Sequence, residues 1–197
     1  HYEISFMIVF IVLVTLLILY IVYENHTRNK ELLKYAQTDA LTGLYNKETT
    51  EQLTDELLSE DENKSHAFLI LDVDCFKQIN DIYGHAVGDI VLQKFGKLLK
   101  GTFREGDILG RIGGDEFGVI MKNIQTKDIA MKKAEELLAK TQAYKIDELK
   151  GNNISISIGI STAPQDGDCY MDLYKRADQA LYQAKRSGKA RVCNYFS

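Results

Sequence analysis

The chain has 197 residues, a formal net charge of −4 and hydrophobic residues at 45% of its positions. That charge argues against a general nucleic-acid binder, which would carry a large basic surface. Cys75, Cys169 and Cys193 are odd in number and lack metal-ligand spacing, as expected of free thiols in a reducing compartment.

Residues 4–23 contain no charge and are mostly Ile, Val, Leu and Phe, matching the roughly 20 residues a helix needs to cross a bilayer. A cleaved signal peptide would want a basic start, a shorter apolar core and small residues before the cut, and none is present. Arg28, Lys30 and Lys34 follow the run while Glu3 precedes it, so the positive-inside rule puts the remainder in the cytoplasm. The expected division is a remnant at 1–3, a transmembrane helix at 4–23, a connector helix at 24–38 and one domain at 39–197. Because the first residue is His1 rather than Met, the chain reads as a fragment from which an upstream sensory region was removed.

Within the domain, helical spacing covers 46–59, with Leu53, Leu57 and Leu58 on one face. Ala67 to Leu71 is a continuous apolar run ending in Asp72, the pattern of a central strand buried on both sides. A short helix is expected over 76–83, a longer one over 87–99, a third over 126–144 and a last over 171–186, stopped by Gly188. Ile154 to Ile160 alternates Ile with Ser or Gly and predicts a strand with one buried face. Residues 191–196 predict a final strand. Helices and strands mix without strict βαβ alternation, so the expected fold is α+β, with helices flanking a mainly antiparallel sheet.

The most telling stretch is Gly113-Gly114-Asp115-Glu116-Phe117, set between two short apolar runs as at a hairpin. The glycines are expected to supply positive φ and to leave room for a ligand against the turn. Two adjacent acids repel each other, so the turn is either a solvated acidic tip or the place of a cation. Asp72-Val73-Asp74 ends the buried strand. An EF-hand is excluded, because Phe76 and Lys77 stand where a ligand and the turn glycine would be needed. Asp72 is the candidate to join the hairpin acids around Mg²⁺, and Asp74 is the candidate cap of the next helix.

Together with Cys75-Phe76-Lys77, Asn80-Asp81, Gly84-His85 and Gly88-Asp89, these motifs resemble the GGDEF domain of bacterial diguanylate cyclases. Asp39-Ala40-Leu41-Thr42 resembles that domain's entry motif. Ala180 to Lys185 with Gly188-Lys189 resembles its closing helix, Lys189 standing where Arg is usual. The resemblance implies a fold like the palm of nucleotidyl cyclases and polymerases. It also implies condensation of two GTP into cyclic di-GMP by a homodimer, with release of two pyrophosphates. It assigns the metal, Mg²⁺ or Mn²⁺, to Asp72, the Val73 carbonyl, Asp115 and Glu116, with Asp115 and Glu116 also catalytic. Guanine falls to Asn80 and Asp89, and the triphosphate to Cys75, Phe76, Lys77, Lys185 and Lys189. Arg104 and Asp107 match an inhibitory product site, with a surface ion pair as the plainer alternative. The implied setting is the bacterial inner membrane with the catalytic domain cytoplasmic.

Overall fold

The computed structural model describes residues 2–61 and 64–195, and for 3–6, 8–12, 27 and 29–35 the backbone alone. The chain divides into two compact units, His1–Gln37 and Thr38–Ser197. The first is one helix, α1 (Tyr2–Gln37). Among the described residues, no helix is long and apolar enough to cross a membrane, so the span expected at 4–23 finds no support there. Side chains of 4–6 and 8–12, eight of the twenty positions in that stretch, lie outside the described residues.

The second unit orders its elements as α2 (Lys47–Glu60), β1 (His66–Val73), α3 (Phe76–Tyr83), α4 (His85–Thr102), β2 (Ile108–Arg111) and β3 (Glu116–Met121). There follow α5 (Lys127–Ala143), a 3-10 turn (Asp147–Leu149), β4 (Ile156–Ala163), α6 (Tyr170–Arg186) and β5 (Val192–Asn194). The sheet runs β2-β3-β1-β4-β5. Its first three pairings are antiparallel and β4 with β5 is parallel, so the sheet is mixed. Of the final strand expected at 191–196, the structure describes 192–194, and Phe196 lies outside the described residues.

β1 is buried at all eight positions because it feeds two cores. Ala67, Leu69, Leu71 and Val73 pack with Val91, Leu92, Phe95 and Leu99 of α4 and Ala130, Ala134 and Leu137 of α5. Phe68 and Ile70, on the other face, pack with Leu57 and Leu58 of α2 and Tyr170, Leu173, Ala177 and Leu181 of α6. A strand between two apolar layers has no polar face, which explains the unbroken run in its sequence.

β4 departs from its expected single buried face. All eight of its residues are buried, because α6 covers the serine and glycine side. The hydroxyls there are satisfied internally, Ser161 Oγ donating to the Leu173 carbonyl at 2.8 Å and Ser157 Oγ to Asp74 at 2.7 Å. A Cβ at Gly159 would stand 2.1 Å from the Ala177 carbonyl oxygen and 2.4 Å from the Leu181 nitrogen. Backbone cannot yield as a side chain can, so Gly159→Ala should separate α6 from β4. The expected loss is on the order of 3 kcal/mol, read as a lowered thermal midpoint. An unchanged midpoint would show that the two elements do not pack this closely in solution.

Candidate active site

The end of β1, the β2–β3 turn and the start of α3 meet at one end of the sheet, where α6 adds Lys185 and the loop after it adds Lys189. Asp72 pairs in register with Glu116 on β3 and Ser157 on β4. Its Oδ2 lies 2.7 Å from Lys185 Nζ of α6. Burial pushes the Asp72 carboxyl up, Lys185 opposes this, and Asp115 and Asp74 add to it. Glu116 is also pushed up, first by burial and then by the charge of Asp72, again with Lys185 opposing. Three acids thus crowd around one ammonium, so the negative charge is only partly compensated.

The turn is built differently from the expected glycine hairpin. Neither Gly113 nor Gly114 has positive φ. A Cβ at Gly113 would lie 3.0 Å from Glu116 Oε2 and 3.2 Å from its Cβ, a tight approach to a flexible side chain, while one at Gly114 would meet nothing within 4 Å. The Ile112 and Gly113 N–H groups both donate to the Glu116 carbonyl, at 3.0 and 3.2 Å. Arg111 holds the tip from outside, donating to the Gly114 carbonyl through Nε at 3.1 Å and Nη2 at 2.7 Å. Its Nη1 reaches both Asp39 oxygens, at 3.2 and 3.1 Å. Burial works against the Asp39 carboxylate, but hydrogen bonds from Thr42 and the Arg111 guanidinium hold it below its ordinary value. Sequence reasoning did not find this tie. Its one local signal was a basic residue two positions before the glycine pair.

Asp72 and Asp74 serve different partners, although residues two apart in a strand share a face. The separation arises because β1 stops at Val73, whose N–H donates to the Asp115 carbonyl at 3.2 Å. Asp74 does not cap the next helix. It accepts from Ser155, Ser157 and the Ala190 N–H, and α3 begins instead after Cys75, held in the left-handed region at φ +58. Free N–H groups at a helix start can receive an anion, and Cys75, Phe76 and Lys77 form this one. Lys189 lies beside it, its Nζ donating to Cys75 Sγ at 3.1 Å.

Asn80 of α3 and Asp89 of α4 come together because Gly84, at φ +86, turns one helix into the next. Asn80 is half-buried, whereas Asp89 is exposed. Gly88 sets their spacing, since a Cβ there would fall 1.9 Å from Asn80 Oδ1. On the far side of β2, Arg104 Nε pairs with Asp107 Oδ1 at 3.1 Å. Asp107 is only 4% exposed in its side chain and also accepts from the Lys122 N–H at 3.1 Å. Arg104 itself remains 61% exposed, at the rim of a cavity of about 550 Å³ that includes Met121, Asn123 and Lys133.

Among the described residues, the group of metal-type ligand atoms gathered within 4.8 Å of one another is Asp168, Cys169 and Asp172. Asp72, Asp115 and Glu116 are therefore a more open set. Open carboxylate sets suit Mg²⁺ or Mn²⁺, which keep waters and substrate oxygens in their shells, and disfavour zinc. The donors present fit such an ion.

Acids at a sheet end thus stand beside a helix start and two lysines. The family model described as diguanylate cyclase, GGDEF domain, matches residues 36–191, and the chain belongs to that family. Diguanylate cyclase A of Treponema denticola is 37% identical over 170 residues, covering 83% of this chain and 46% of the relative. Response regulator PleD of Caulobacter vibrioides is 37% identical over 177 residues, covering 86% of this chain and 39% of the relative. The chain thus spans less than half the length of these curated relatives. The coiled coil and GGDEF domain of DgcB from Caulobacter crescentus, solved with c-di-GMP, superposes with a TM-score of 0.80 at 25% identity, covering 88% of this chain and 93% of that one.

Two outcomes are expected. The folded-state value of Glu116 lies above its ordinary 4.5, so its contribution to stability is full below 4.5 and is lost as pH rises through the raised value. At neutral pH without metal the charge is a cost. Glu116→Gln should therefore raise the thermal midpoint in chelator while abolishing turnover, and a lowered midpoint would reject the crowded-charge description. Gly88→Ala should leave the fold intact and displace Asn80, raising KM for a guanine nucleotide roughly tenfold, the effect of about 1.4 kcal/mol. An unchanged KM would separate Asn80 from base recognition.

Proposed function

We propose that the chain is a diguanylate cyclase, condensing two GTP into cyclic di-GMP and two pyrophosphates as a homodimer. The observation that carries the reading is the cluster of Asp72, Asp115 and Glu116, crowded at one end of the sheet with Lys185 as a partial counter-charge. Family membership and relatives bearing the diguanylate cyclase name support it. Asp72, the Val73 carbonyl, Asp115 and Glu116 would hold Mg²⁺ or Mn²⁺. A bound divalent ion supplies charge stabilisation at the reacting phosphate and lowers the pKa of an attached oxygen.

The chain's own residues then divide the work. The α3 N–H groups of Cys75, Phe76 and Lys77 accept the triphosphate, with Lys185 and Lys189 adding positive charge. Lysine in place of the usual arginine keeps the charge at 189 but gives up a bidentate fork. Asn80 and Asp89 read guanine, Asp89 accepting from the N1–H and the exocyclic amine, a pair of donors that adenine lacks. Exposed Asp89 becomes covered only when a base arrives. Each half-site presents one GTP, so that the 3′-oxygen of one attacks the α-phosphorus of the other while the bond to the β-phosphate breaks.

Arg104 and Asp107 form the proposed inhibitory product site. Asp107 is already held by the backbone N–H groups of Arg104 and Lys122, and Arg104, whose Nε holds Asp107 and whose Nη2 donates to the Lys122 carbonyl, would grip a guanine or phosphate with the donors it still exposes. Anchoring in the bacterial inner membrane through residues 4–23, with the domain in the cytoplasm, is supported by their charge-free sequence. It is supported further by the exposure of Leu13, Leu16, Leu17, Ile18, Leu19 and Val22 along α1. Recovery of the chain in membranes after carbonate washing, with release by detergent, tests the anchor, and release by carbonate alone rejects it.

The decisive assay is the chain forced to dimerise and incubated with GTP and Mg²⁺. Cyclic di-GMP should form, and its absence there, with GTP still bound, would favour a sensing module over an enzyme. In the same assay Arg104→Ala should shift product inhibition to roughly tenfold higher product concentration, and an unmoved inhibition curve would remove that site.

A further inference from the structure

Asp74 is a buried acid that neither the metal nor the base reading uses. It is 6% exposed, and three donors converge on it: Ser157 Oγ at 2.7 Å, Ser155 Oγ at 2.8 Å and the Ala190 N–H at 3.0 Å. The two serines belong to β4 and the residue before it, and the third donor comes from the loop after α6. That loop is unusual, because Lys189 and Ala190 are consecutive non-glycine residues with φ of +61 and +48. Left-handed backbone of this kind persists only where its surroundings over-determine it.

The surroundings do so here. The Lys189 N–H donates to the Ala184 carbonyl at 3.1 Å, the Lys189 carbonyl accepts from Arg191 Nε at 3.1 Å, and the Ala190 N–H is held by the Asp74 carboxylate. From this fixed root the Lys189 side chain reaches back to Cys75, whose Sγ lies 3.1 Å from its Nζ. Adjacent residues of the β1–α3 turn therefore grip both ends of one lysine, Asp74 the backbone beside it and Cys75 its head. A lysine is a flexible, strongly hydrated point charge. Fixing its root lowers the entropy it loses on engaging an anion. An arginine fork would need this less, and this chain has lysine where its family usually has arginine.

We propose that Asp74 is a positioning residue: by clamping the Lys189–Ala190 backbone it holds the Lys189 ammonium at the start of α3, ready for the triphosphate. The inference rests on the GTP reading above. A carboxylate serving only as a strut between β1 and β4 would support the fold without regard to what stands at 189.

A double-mutant cycle on the full chain separates the two. The probe is 3′-deoxy-GTP with Mg²⁺, which lacks the attacking hydroxyl and is not consumed, and thermal midpoints are recorded alongside. Lys189→Ala and Asp74→Ala should each weaken binding roughly tenfold, and the double variant should bind no more weakly than Lys189→Ala alone. Asp74→Asn should restore most of the binding, since its amide oxygen can still accept from Ala190 while its nitrogen donates to a serine hydroxyl. If Asp74→Ala does not fold, Ser155→Ala combined with Ser157→Ala strips two of the three anchors and is put through the same cycle with the same expectation. Multiplicative losses in the double variant, or a lowered midpoint with unchanged binding, would overturn the positioning role while leaving the GTP reading intact. No binding by the unsubstituted chain would overturn both.

Discussion

The close approach of α6 to β4 is the contact on which the site depends. It is possible because β4 turns small residues, Ser157, Gly159 and Ser161, toward the helix, so that backbone meets backbone at Gly159. That approach carries Lys185 to within 2.7 Å of Asp72. It also delivers the loop after α6 to Asp74 and Cys75. With a bulkier residue at 159 the two lysines would stand back from the acids and from the start of α3. Here a packing constraint in the core is also a constraint on site geometry, because the same helix serves both.

The electrostatics follow from that geometry. β1 is shielded by helices on both faces, so the acid at its end is partly withdrawn from water, and Glu116 on the neighbouring strand shares the burial. Desolvation and mutual repulsion raise both carboxyls, and Lys185 offsets only part of the effect. Under the proposed function, that uncompensated negative charge is what a divalent cation would offset. The tip of the β2–β3 turn stays in place despite that repulsion because Arg111 ties it to Asp39 at the domain's entry. The turn is thereby anchored to the first residues after Gln37 as well as to the sheet.

Much of the architecture was legible along the chain. The apolar run of β1 marked a two-sided strand, and α3 spans the expected 76–83 because its polar and apolar spacing is clean and Gly84 ends it. The β4 pattern misled, since Ile-Ser alternation looks the same whether the serine face meets water or a helix. The roles of Asp74 and of the glycine pair were also misread from local rules. A strand-end Asp followed by a helix usually caps it, yet Asp74 found three donors from elsewhere in the chain. Adjacent glycines usually supply positive φ in a hairpin, yet neither Gly113 nor Gly114 does so here.

What the sequence alone determined is chemical inventory and local order: which acids, amides and lysines exist, which elements carry them, and which family arranges them so. Those follow from composition, periodicity and motif spacing, all of which are local in the chain. Only the tertiary structure decided which of these groups meet. Lys185 with Asp72, Arg111 with Asp39 and Lys189 with Cys75 are separated by 113, 72 and 114 positions, and they touch because the sheet order and the close seat of α6 bring their elements together. No periodicity encodes such distances, since they are set by packing between elements and not by the path of the chain within one.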